Sequence, residues 1–155
     1  MKKIFTGLIV TFTFLVLTSC AAPTKAPENL QRQWMLVEFQ DFSKALMMNN
    51  VANINLIKNQ EAAGRYSAHM GCNKMLFVAN FEPTGTENFS NMSSTKMYCD
   101  NNMDLETAFG TELAKMVTYS VDGHYLTFIG SNGTQMKFVA ADCDKIQKQK
   151  KNKKI

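Results

Sequence analysis

The chain is organised around two short stretches, HMGCN at residues 69–73 and TKMYC at residues 95–99. Each stretch carries a cysteine in a polar cluster, at a point where a predicted strand ends. In β domains, such strand ends commonly carry either a covalent link or a functional site. The two stretches therefore predict one or the other.

The first 19 residues have the pattern of an export signal. Lys2 and Lys3 precede an apolar run at residues 4–17, which is too short to span a membrane because a spanning helix needs about 20 residues. The sequence then reads LTSC at residues 17–20, which resembles the lipobox of bacterial lipoproteins. We therefore expect Cys20 to become the lipidated N-terminus; cleavage of an ordinary signal peptide just after it is the alternative.

Lipidation of Cys20 predicts permanent attachment to a membrane. Each buried CH2 adds about 0.8 kcal/mol, so two or more acyl chains hold a protein firmly. Ala21 and Ala22 follow the cysteine. In this respect the chain does not resemble the lipoproteins that enteric bacteria retain in the inner membrane, which have Asp directly after the cysteine. That comparison favours the outer membrane. Residues 20–29 comprise the cysteine and a small, polar tether, whose mean reach is roughly 15–18 Å.

The formal charge of the chain is +4, but its distribution matters more than its sum. The signal contributes Lys2 and Lys3, and residues 142–155 hold six lysines against two aspartates, which leaves −2 for residues 21–141. No basic face indicates nucleic acid binding. The basic tail at 142–155 is predicted to be disordered, and its lysines are candidates to contact a polyanion or anionic lipid.

The region from residue 30 to residue 141 is long enough for one domain with its own core. Alternating apolar residues predict strands at 33–39, 54–57, 63–70, 75–81, 89–98, 117–121, 125–129 and 134–139. Residues 101–116 are the main predicted helix, since their apolar side chains form one stripe, and residues 41–50 are predicted to be a loop with a potential helical turn. The pattern indicates an α+β fold, mainly antiparallel β in a curled or barrel-like sheet, with one main helix packed against it.

The first strand contains the tryptophan of the chain. Strict alternation places Trp34 and Leu36 on one face and Phe39 on the other. Trp34 is predicted to be a core anchor.

Five features follow one another in this chain: a Trp-x-Leu strand, a Gly-Cys-Asn turn, a Thr-x-Met-x-Cys segment, a helix with Glu and Phe, and a final hairpin. Their order and spacing resemble the META domain, the HslJ-like family of bacterial envelope proteins. The matching positions are Trp34, Leu36, Gly71, Cys72, Asn73, Thr95, Met97, Cys99, Glu106, Phe109 and residues 126–128, which together cover about 30–139.

The resemblance implies a compact, mainly antiparallel β domain with a helix, often exported and lipid-anchored. HslJ itself is associated with heat shock and novobiocin resistance. No catalytic residue is established across the family, so none is carried over to this chain. The sequence departs from the family at Tyr98, where a small residue commonly precedes the second cysteine, and in adding Cys143 and the lysine-rich tail.

With Cys20 lipidated, three thiols remain in an oxidising compartment: Cys72, Cys99 and Cys143. A disulfide between Cys72 and Cys99 is preferred, because both follow strand ends in the body of the domain, whereas Cys143 lies beyond the last strand. A bridge from Cys143 and a fully reduced chain are the alternatives.

A metal or thiol site is the competing hypothesis. His69, Met70, Cys72, Met97 and Cys99 are ligand types that suit Cu(I), but on a strand His69 faces away from Met70 and Cys72. We therefore predict no metal, no other cofactor and no catalytic residue. A thiol enzyme that uses His69 with Cys72 or Cys99 remains an alternative, although no nucleophile motif surrounds these residues.

The sequence as a whole predicts a non-enzymatic outer-membrane lipoprotein. It would act in envelope maintenance or in stress and drug tolerance by binding a partner, which is an unidentified envelope protein or a polyanion. The alternative among binding proteins is an assembly helper, similar to a pilot protein, for an outer-membrane complex.

Overall fold

A computed structural model describes residues 27–58, 64–99 and 103–142. The described elements are a 3-10 helix at Glu28–Leu30, strands β1 (Gln33–Phe39), β2 (Asn53–Asn55), β3 (Arg65–His69), β4 (Lys74–Phe81), β5 (Glu87–Ser94), β6 (Met116–Asp122), β7 (Tyr125–Gly130) and β8 (Gln135–Ala140), and helices α1 (Lys44–Asn49) and α2 (Met103–Leu113). The predicted export signal, Cys20, most of the tether, Cys143 and the lysines of the tail lie outside the described residues.

The eight strands form one antiparallel sheet in the order β5-β4-β3-β2-β1-β8-β7-β6. The sheet curls, so that its two edge strands approach each other at one point: Thr86 and Thr118 form an isolated bridge, and Tyr119 N donates to Gly85 O at 2.7 Å. The result is a half-barrel with one main helix, and the predicted α+β fold class is confirmed.

The start of β1 and the end of β8 lie at one end of the half-barrel, which we call the terminal end. Ala141 N donates to Gln33 O at 3.0 Å, and the Arg32 guanidinium lies 3.8 Å from the Asp142 carboxylate. Arg32, which directly precedes β1, and Asp142, the last described residue, therefore lie side by side.

The opposite end of the half-barrel carries both helices, and we call it the helical end. The rings of Phe109 in α2 and Phe39 at the end of β1 meet edge to face, with centroids 6.2 Å apart. In the last turn of α2, Glu112 accepts from Lys115 Nζ at 2.7 Å and from Asn132 Nδ2 at 2.9 Å. These two hydrogen bonds lower the pKa of the Glu112 carboxyl. The bond from Asn132 also ties α2 to the β7–β8 turn.

The interior of the half-barrel is filled mainly by aromatic side chains. Phe77, Phe81, Phe89, Phe128 and Phe138 form a chain of ring contacts with centroids 5.4–6.3 Å apart. Such contacts add about 0.5–1.5 kcal/mol per pair to the burial of apolar area.

Trp34 of β1 is fully buried. Its Nε1 donates to Leu30 O at 3.0 Å, so the one polar atom of the ring is satisfied inside the core. The Arg32 guanidinium lies 5.4 Å from the ring centroid, within the range of a cation–π contact. The predicted role of Trp34 as a core anchor is confirmed.

The prediction for Phe39 was wrong. The pairing of β1 with β8 shifts register between Leu36 and Glu38, which is the signature of a β-bulge. The extra residue turns Phe39 onto the face of Trp34 and Leu36, and Phe39 is completely buried. The bulge therefore adds a third large side chain to the core face of β1.

Each predicted strand has a counterpart in the structure, but two boundaries differ in ways that matter for the site. The strand predicted at 89–98 begins at Glu87 and ends at Ser94, so residues 95–99 are not part of the sheet. The potential turn within 41–50 is helix α1, whose N-terminus is capped because the Ser43 hydroxyl accepts from Leu46 N at 3.2 Å.

Candidate functional site

Asn73 is the polar centre of the helical end. It directly precedes β4 and is 2% exposed. Its Oδ1 accepts from Thr95 Oγ1 at 2.7 Å and from Met97 N at 2.8 Å, and its Nδ2 donates to Met97 O at 3.0 Å. Because β5 ends at Ser94, the backbone beyond it has lost its strand partner, and the Asn73 side chain replaces that partner. Residues 95–99, which we call the 95–99 loop, are held in one conformation as a result.

The hydrogen bond made by Glu106 explains why the family pattern includes a glutamate in the helix. It is buried in α2, and its Oε2 accepts from Asn73 N at 2.7 Å. The backbone of Asn73 is thereby fixed by the helix while its side chain fixes the 95–99 loop. Three segments that are distant in sequence are joined at one residue.

Gly71 allows α1 to approach the β3–β4 connection. Its φ is +118°, a conformation that side-chain-bearing residues rarely adopt, and an added Cβ would lie 2.6 Å from the Asn50 side chain. Asn50 uses the space to donate from Nδ2 to Met70 O at 3.0 Å. A glycine is therefore required at position 71, so that the Asn50 side chain can pack against the β3–β4 connection.

Cys72 and Cys99 are joined by a disulfide, with their Cα atoms 6.0 Å apart, a usual separation for such a bond. This is the preferred one of the predicted pairings; Cys143, which the alternative pairing needs, lies outside the described residues. A bonded sulfur is neither a thiolate ligand nor a nucleophile. The arrangement in the structure therefore offers no support to the thiol and soft-metal alternatives.

The other residues of those alternatives have structural contacts. His69 Nδ1 lies 3.2 Å from Asn73 O, so the ring contacts the β3–β4 connection that directly follows it in sequence. Met70 is fully buried. Across residues 27–58, 64–99 and 103–142, no group of three or more His, Cys, Asp or Glu side chains could hold a metal ion.

The 95–99 loop exposes two large apolar side chains to solvent. Met97 is 58% exposed and Tyr98 is 85% exposed. Met48 at the end of α1 and Val51 just after it are also largely exposed at the helical end. The most exposed of these four side chains, Tyr98, is the position at which the sequence departs from the family pattern.

A shallow groove of about 290 Å³ runs between β5 and α2. It is lined in part by Met75, Met92, Ser94, Thr107 and Gly110. Gly110 lies opposite both methionines, since a Cβ added there would make ordinary van der Waals contact with the methyl groups of Met92 and Met75, at 3.8 and 3.9 Å. The groove thus offers methionine side chains beside the edge strand of the sheet.

Glu87 is a chemically unusual residue that the sequence analysis missed. It points into the half-barrel from β5, is 4% exposed, and neither carboxyl oxygen has a hydrogen-bond partner. Burial raises its pKa to about 9. Burial, together with the charges of Glu87 and Glu82, also raises the pKa of Tyr119. The sequence signal was the two-residue spacing to Phe89, which places Glu87 on the buried face once the strand begins at residue 87.

The role of Asn73 gives a first testable prediction. We expect Asn73→Ala to lower the free energy of unfolding by about 2 kcal/mol, since three hydrogen bonds are lost and each contributes about 1 kcal/mol, partly recovered by water at the exposed loop. Urea unfolding followed by Trp34 fluorescence measures the change. Asn80→Ala is the control, because Asn80 is exposed and its amide bonds only to Glu82. Equal effects of the two substitutions would contradict the role given to Asn73.

Comparisons with known proteins agree with this architecture. A family model described as META domain matches residues 28–143. The NMR structure of a protein from Burkholderia xenovorans is similar with a TM-score of 0.60 at 16% identity, covering 91% of this chain and 99% of that chain. The crystal structure of a DUF4847 family protein from Bacteroides vulgatus has a TM-score of 0.50 at 13% identity, covering 72% of this chain and 94% of that chain. At these identities the two structures show a shared fold alone.

The search of curated proteins gave no match to this chain. Among the helices within the described ranges, none has the length and apolar character needed to cross a membrane.

Proposed function

The chain belongs to the META domain family, and we propose that it is a non-enzymatic lipoprotein of the outer membrane that binds a partner in envelope maintenance or in stress and drug tolerance. The observation that carries the proposal is the LTSC sequence at residues 17–20, which follows an apolar run at residues 4–17. Six residues separate Cys20 from Pro27, where the described domain begins. A lipid on Cys20 would therefore keep the domain close to the bilayer.

The positions of the chain ends support an orientation for the anchored domain. β1 begins at the terminal end, six residues after Pro27, so this end would face the membrane and the helical end would face away from it. Asp142 also lies at the terminal end, paired with Arg32, and the lysines of residues 145–154 follow it in sequence. Those lysines would then be available to anionic lipid or another polyanion, at about 1 kcal/mol each at best.

A binding role rather than catalysis is supported by the contacts of the reactive side chains. Cys72 and Cys99 are bonded to each other, and the ring of His69 lies against Asn73 O. The helical end also presents Met48, Val51, Met97 and Tyr98 to solvent, and exposed apolar surface on a folded domain, where it is contiguous, marks interaction sites.

Lipidation is tested by metabolic labelling with an alkyne analogue of palmitate in the native host. We expect the wild-type chain to be labelled and to fractionate with the outer membrane, and Cys20→Ser to lose both properties. Cys143→Ser is the control and should keep the label. An unlabelled wild-type chain, or a labelled Cys20→Ser chain, would rule out the proposed anchor.

An assembly helper for an outer-membrane complex is the second candidate. The groove between β5 and α2 favours it, because Met75 and Met92 line the groove and methionine adapts to varied apolar segments. Deleting the gene would then reduce assembly of a specific outer-membrane complex, whereas the first proposal predicts increased sensitivity to envelope stress with normal assembly.

A further inference from the structure

The half-barrel closes at a narrow contact between its two edge strands, which we call the seam. Thr86, directly before β5, bridges Thr118 of β6, and Tyr119 N donates to Gly85 O at 2.7 Å. Each edge strand is paired along its whole length with its other neighbour, β5 with β4 and β6 with β7. Separation of the seam therefore breaks few bonds and leaves the rest of the sheet paired, which is the usual pattern of a local opening.

Tyr119 holds the seam closed with its side chain as well as its backbone. Its hydroxyl donates to Glu82 O at 2.6 Å, and its ring meets that of Phe81 edge to face, with centroids 5.3 Å apart. Through this residue β6 is attached both to β4 and to the turn that precedes β5. Movement of Tyr119 away from these partners opens the half-barrel at the seam.

Glu87 lies beside the seam with its side chain buried in the interior. It follows Thr86 in sequence, lies opposite Phe81 of β4, and shares the buried face of β5 with Phe89. Together with burial, its charge raises the pKa of Tyr119, so the carboxyl lies close to the residue that holds the seam. Departure of Tyr119 therefore removes the cover of the carboxyl on the side of β6.

The closed seam keeps Glu87 in its neutral form. Neither oxygen of its carboxyl has a hydrogen-bond partner among the described residues, and the Tyr119 hydroxyl is used by Glu82 O. An ionised carboxylate that is buried without a donor is strongly disfavoured, and burial raises the pKa of this carboxyl to about 9. Ionisation of Glu87 therefore requires that water reach it.

The groups around Glu87 do not offset its charge. Tyr119 of β6 has a pKa raised from its ordinary value of 10, by burial first and then by the charges of Glu87 and Glu82, so its hydroxyl is neutral between pH 6 and pH 8. Glu82, which follows β4, is itself acidic and accepts from Asn80 Nδ2 at 2.7 Å. From β7 the ring that meets Phe89 is that of Phe128, which carries no charge. Within the described ranges, Glu87 is thus the seam residue that titrates with opening.

We propose that the seam is a proton-linked opening, in which separation of β6 from the start of β5 lets water reach Glu87 and the carboxyl gives its proton to the solvent. The closed form with neutral Glu87 becomes the open form with ionised Glu87 and one proton in solution. Opening also uncovers the ring of Phe81 that Tyr119 covers. The pH therefore sets how often the aromatic interior is accessible to solvent, and the device needs neither the lipid anchor nor a partner.

The direction of the pH dependence follows from the pKa of Glu87 in the two forms. In the closed form the pKa is about 9, and in the open form, in water, the carboxyl regains its ordinary value of 4.5. Below pH 4.5 the carboxyl is protonated in both forms, so opening does not depend on pH. Between pH 4.5 and pH 9 opening releases a proton, and the ratio of open to closed molecules rises about tenfold for each pH unit.

Amide hydrogen exchange of the full-length chain, followed by NMR, measures the opening at the Tyr119 amide. The quantity compared is the protection factor, the exchange rate of a free amide divided by the observed rate, because the free rate itself changes with pH. Between pH 6 and pH 8 we expect the protection of Tyr119 to fall about tenfold for each pH unit in the wild-type protein and to stay constant in Glu87→Gln. Glu82→Gln is the matched control, since it makes the same substitution at a partly exposed carboxyl of the seam, and it should keep the wild-type slope.

A second amide separates opening of the seam from unfolding of the whole domain. Leu36 N donates to Ala52 O at 2.8 Å in the middle of the sheet. Low concentrations of urea should speed exchange at Leu36 more than at Tyr119, because urea acts in proportion to the surface that an opening exposes. Equal protection and equal urea response of the two amides would overturn the seam as a separate opening.

The remaining outcomes decide the role of Glu87. Protection of Tyr119 that is lower than that of Leu36 but does not change with pH would overturn the link to a proton. A slope that persists in Glu87→Gln would assign the proton to another group and overturn the role of Glu87. The slope of the wild-type protein decides the first point even if the variant does not fold.

Discussion

Glu87→Gln is expected to raise the free energy of unfolding by about 3 kcal/mol at pH 7 and to leave it nearly unchanged at pH 4. The substitution replaces a buried carboxyl that has no hydrogen-bond partner with a neutral amide of nearly the same shape. Replacement of a native residue would then stabilise the fold, whereas most point mutations destabilise a protein.

The direction follows from the pKa of Glu87 in the two states. Burial raises it from 4.5 to about 9 in the folded protein, while the unfolded chain keeps the ordinary value. Below pH 4.5 the Glu87 carboxyl is protonated in both the folded and the unfolded protein, so folding takes up no proton. Between pH 4.5 and 9 folding must take up a proton, so stability falls by about 1.4 kcal/mol for each pH unit. At pH 7 the accumulated loss is about 3 kcal/mol, and glutamine does not incur it.

Urea unfolding of the wild-type and Glu87→Gln proteins between pH 4 and pH 8 measures this difference. The gap between the two stability curves should open steadily as the pH rises. Glu38→Gln is the matched control, since Glu38 is 69% exposed and pairs with Lys137, and its effect should stay within about 0.5 kcal/mol across the range. A constant gap for Glu87→Gln would mean that the carboxyl is ionised inside the fold.

The local sequence specified most of the fold. Strands could be predicted because apolar and polar residues alternate along them, and α2 because its apolar residues recur at helical spacing. The exceptions have physical causes that lie outside the segment concerned. Phe39 changes face because the pairing of β1 with β8 contains a bulge, and nothing within β1 indicates it. Residues 95–98 have the pattern of a strand, yet β5 ends at Ser94, and the side chain of Asn73, which is distant in sequence, binds the backbone of Met97 in place of a neighbouring strand.

The candidate site was only partly predictable for the same reason. The number and positions of the cysteines were enough to predict the pairing of Cys72 with Cys99, because predicting a disulfide requires little beyond an oxidising compartment and two cysteines that lie close together. The roles of Asn73 and Glu106 could not be predicted, since their bonds join residues 22 to 33 positions apart in sequence. Exposure of Tyr98 likewise becomes evident only once the loop around it is known to leave the sheet.

The disulfide gives the other large expected effect. Replacing Cys72 and Cys99 together by alanine should lower the free energy of unfolding by about 3.5 kcal/mol, because the two cysteines are 27 positions apart in sequence and opening such a loop restores entropy to the unfolded chain. Chemical reduction of the wild-type protein should give a similar loss. Cys143→Ser is the control for general effects of thiol replacement and should leave stability unchanged.

The same substitution separates global stability from the local order of the loop. With the disulfide removed, the 95–99 loop keeps its bonds to Asn73 but loses the restraint at Cys99. Amide hydrogen exchange at Tyr98 should then be faster in the double alanine variant, even at temperatures where the variant stays folded. Unchanged stability in the double alanine variant would show that the bridge does not restrain the unfolded chain. Unchanged exchange at Tyr98 in a folded variant would show that Asn73 alone fixes the loop.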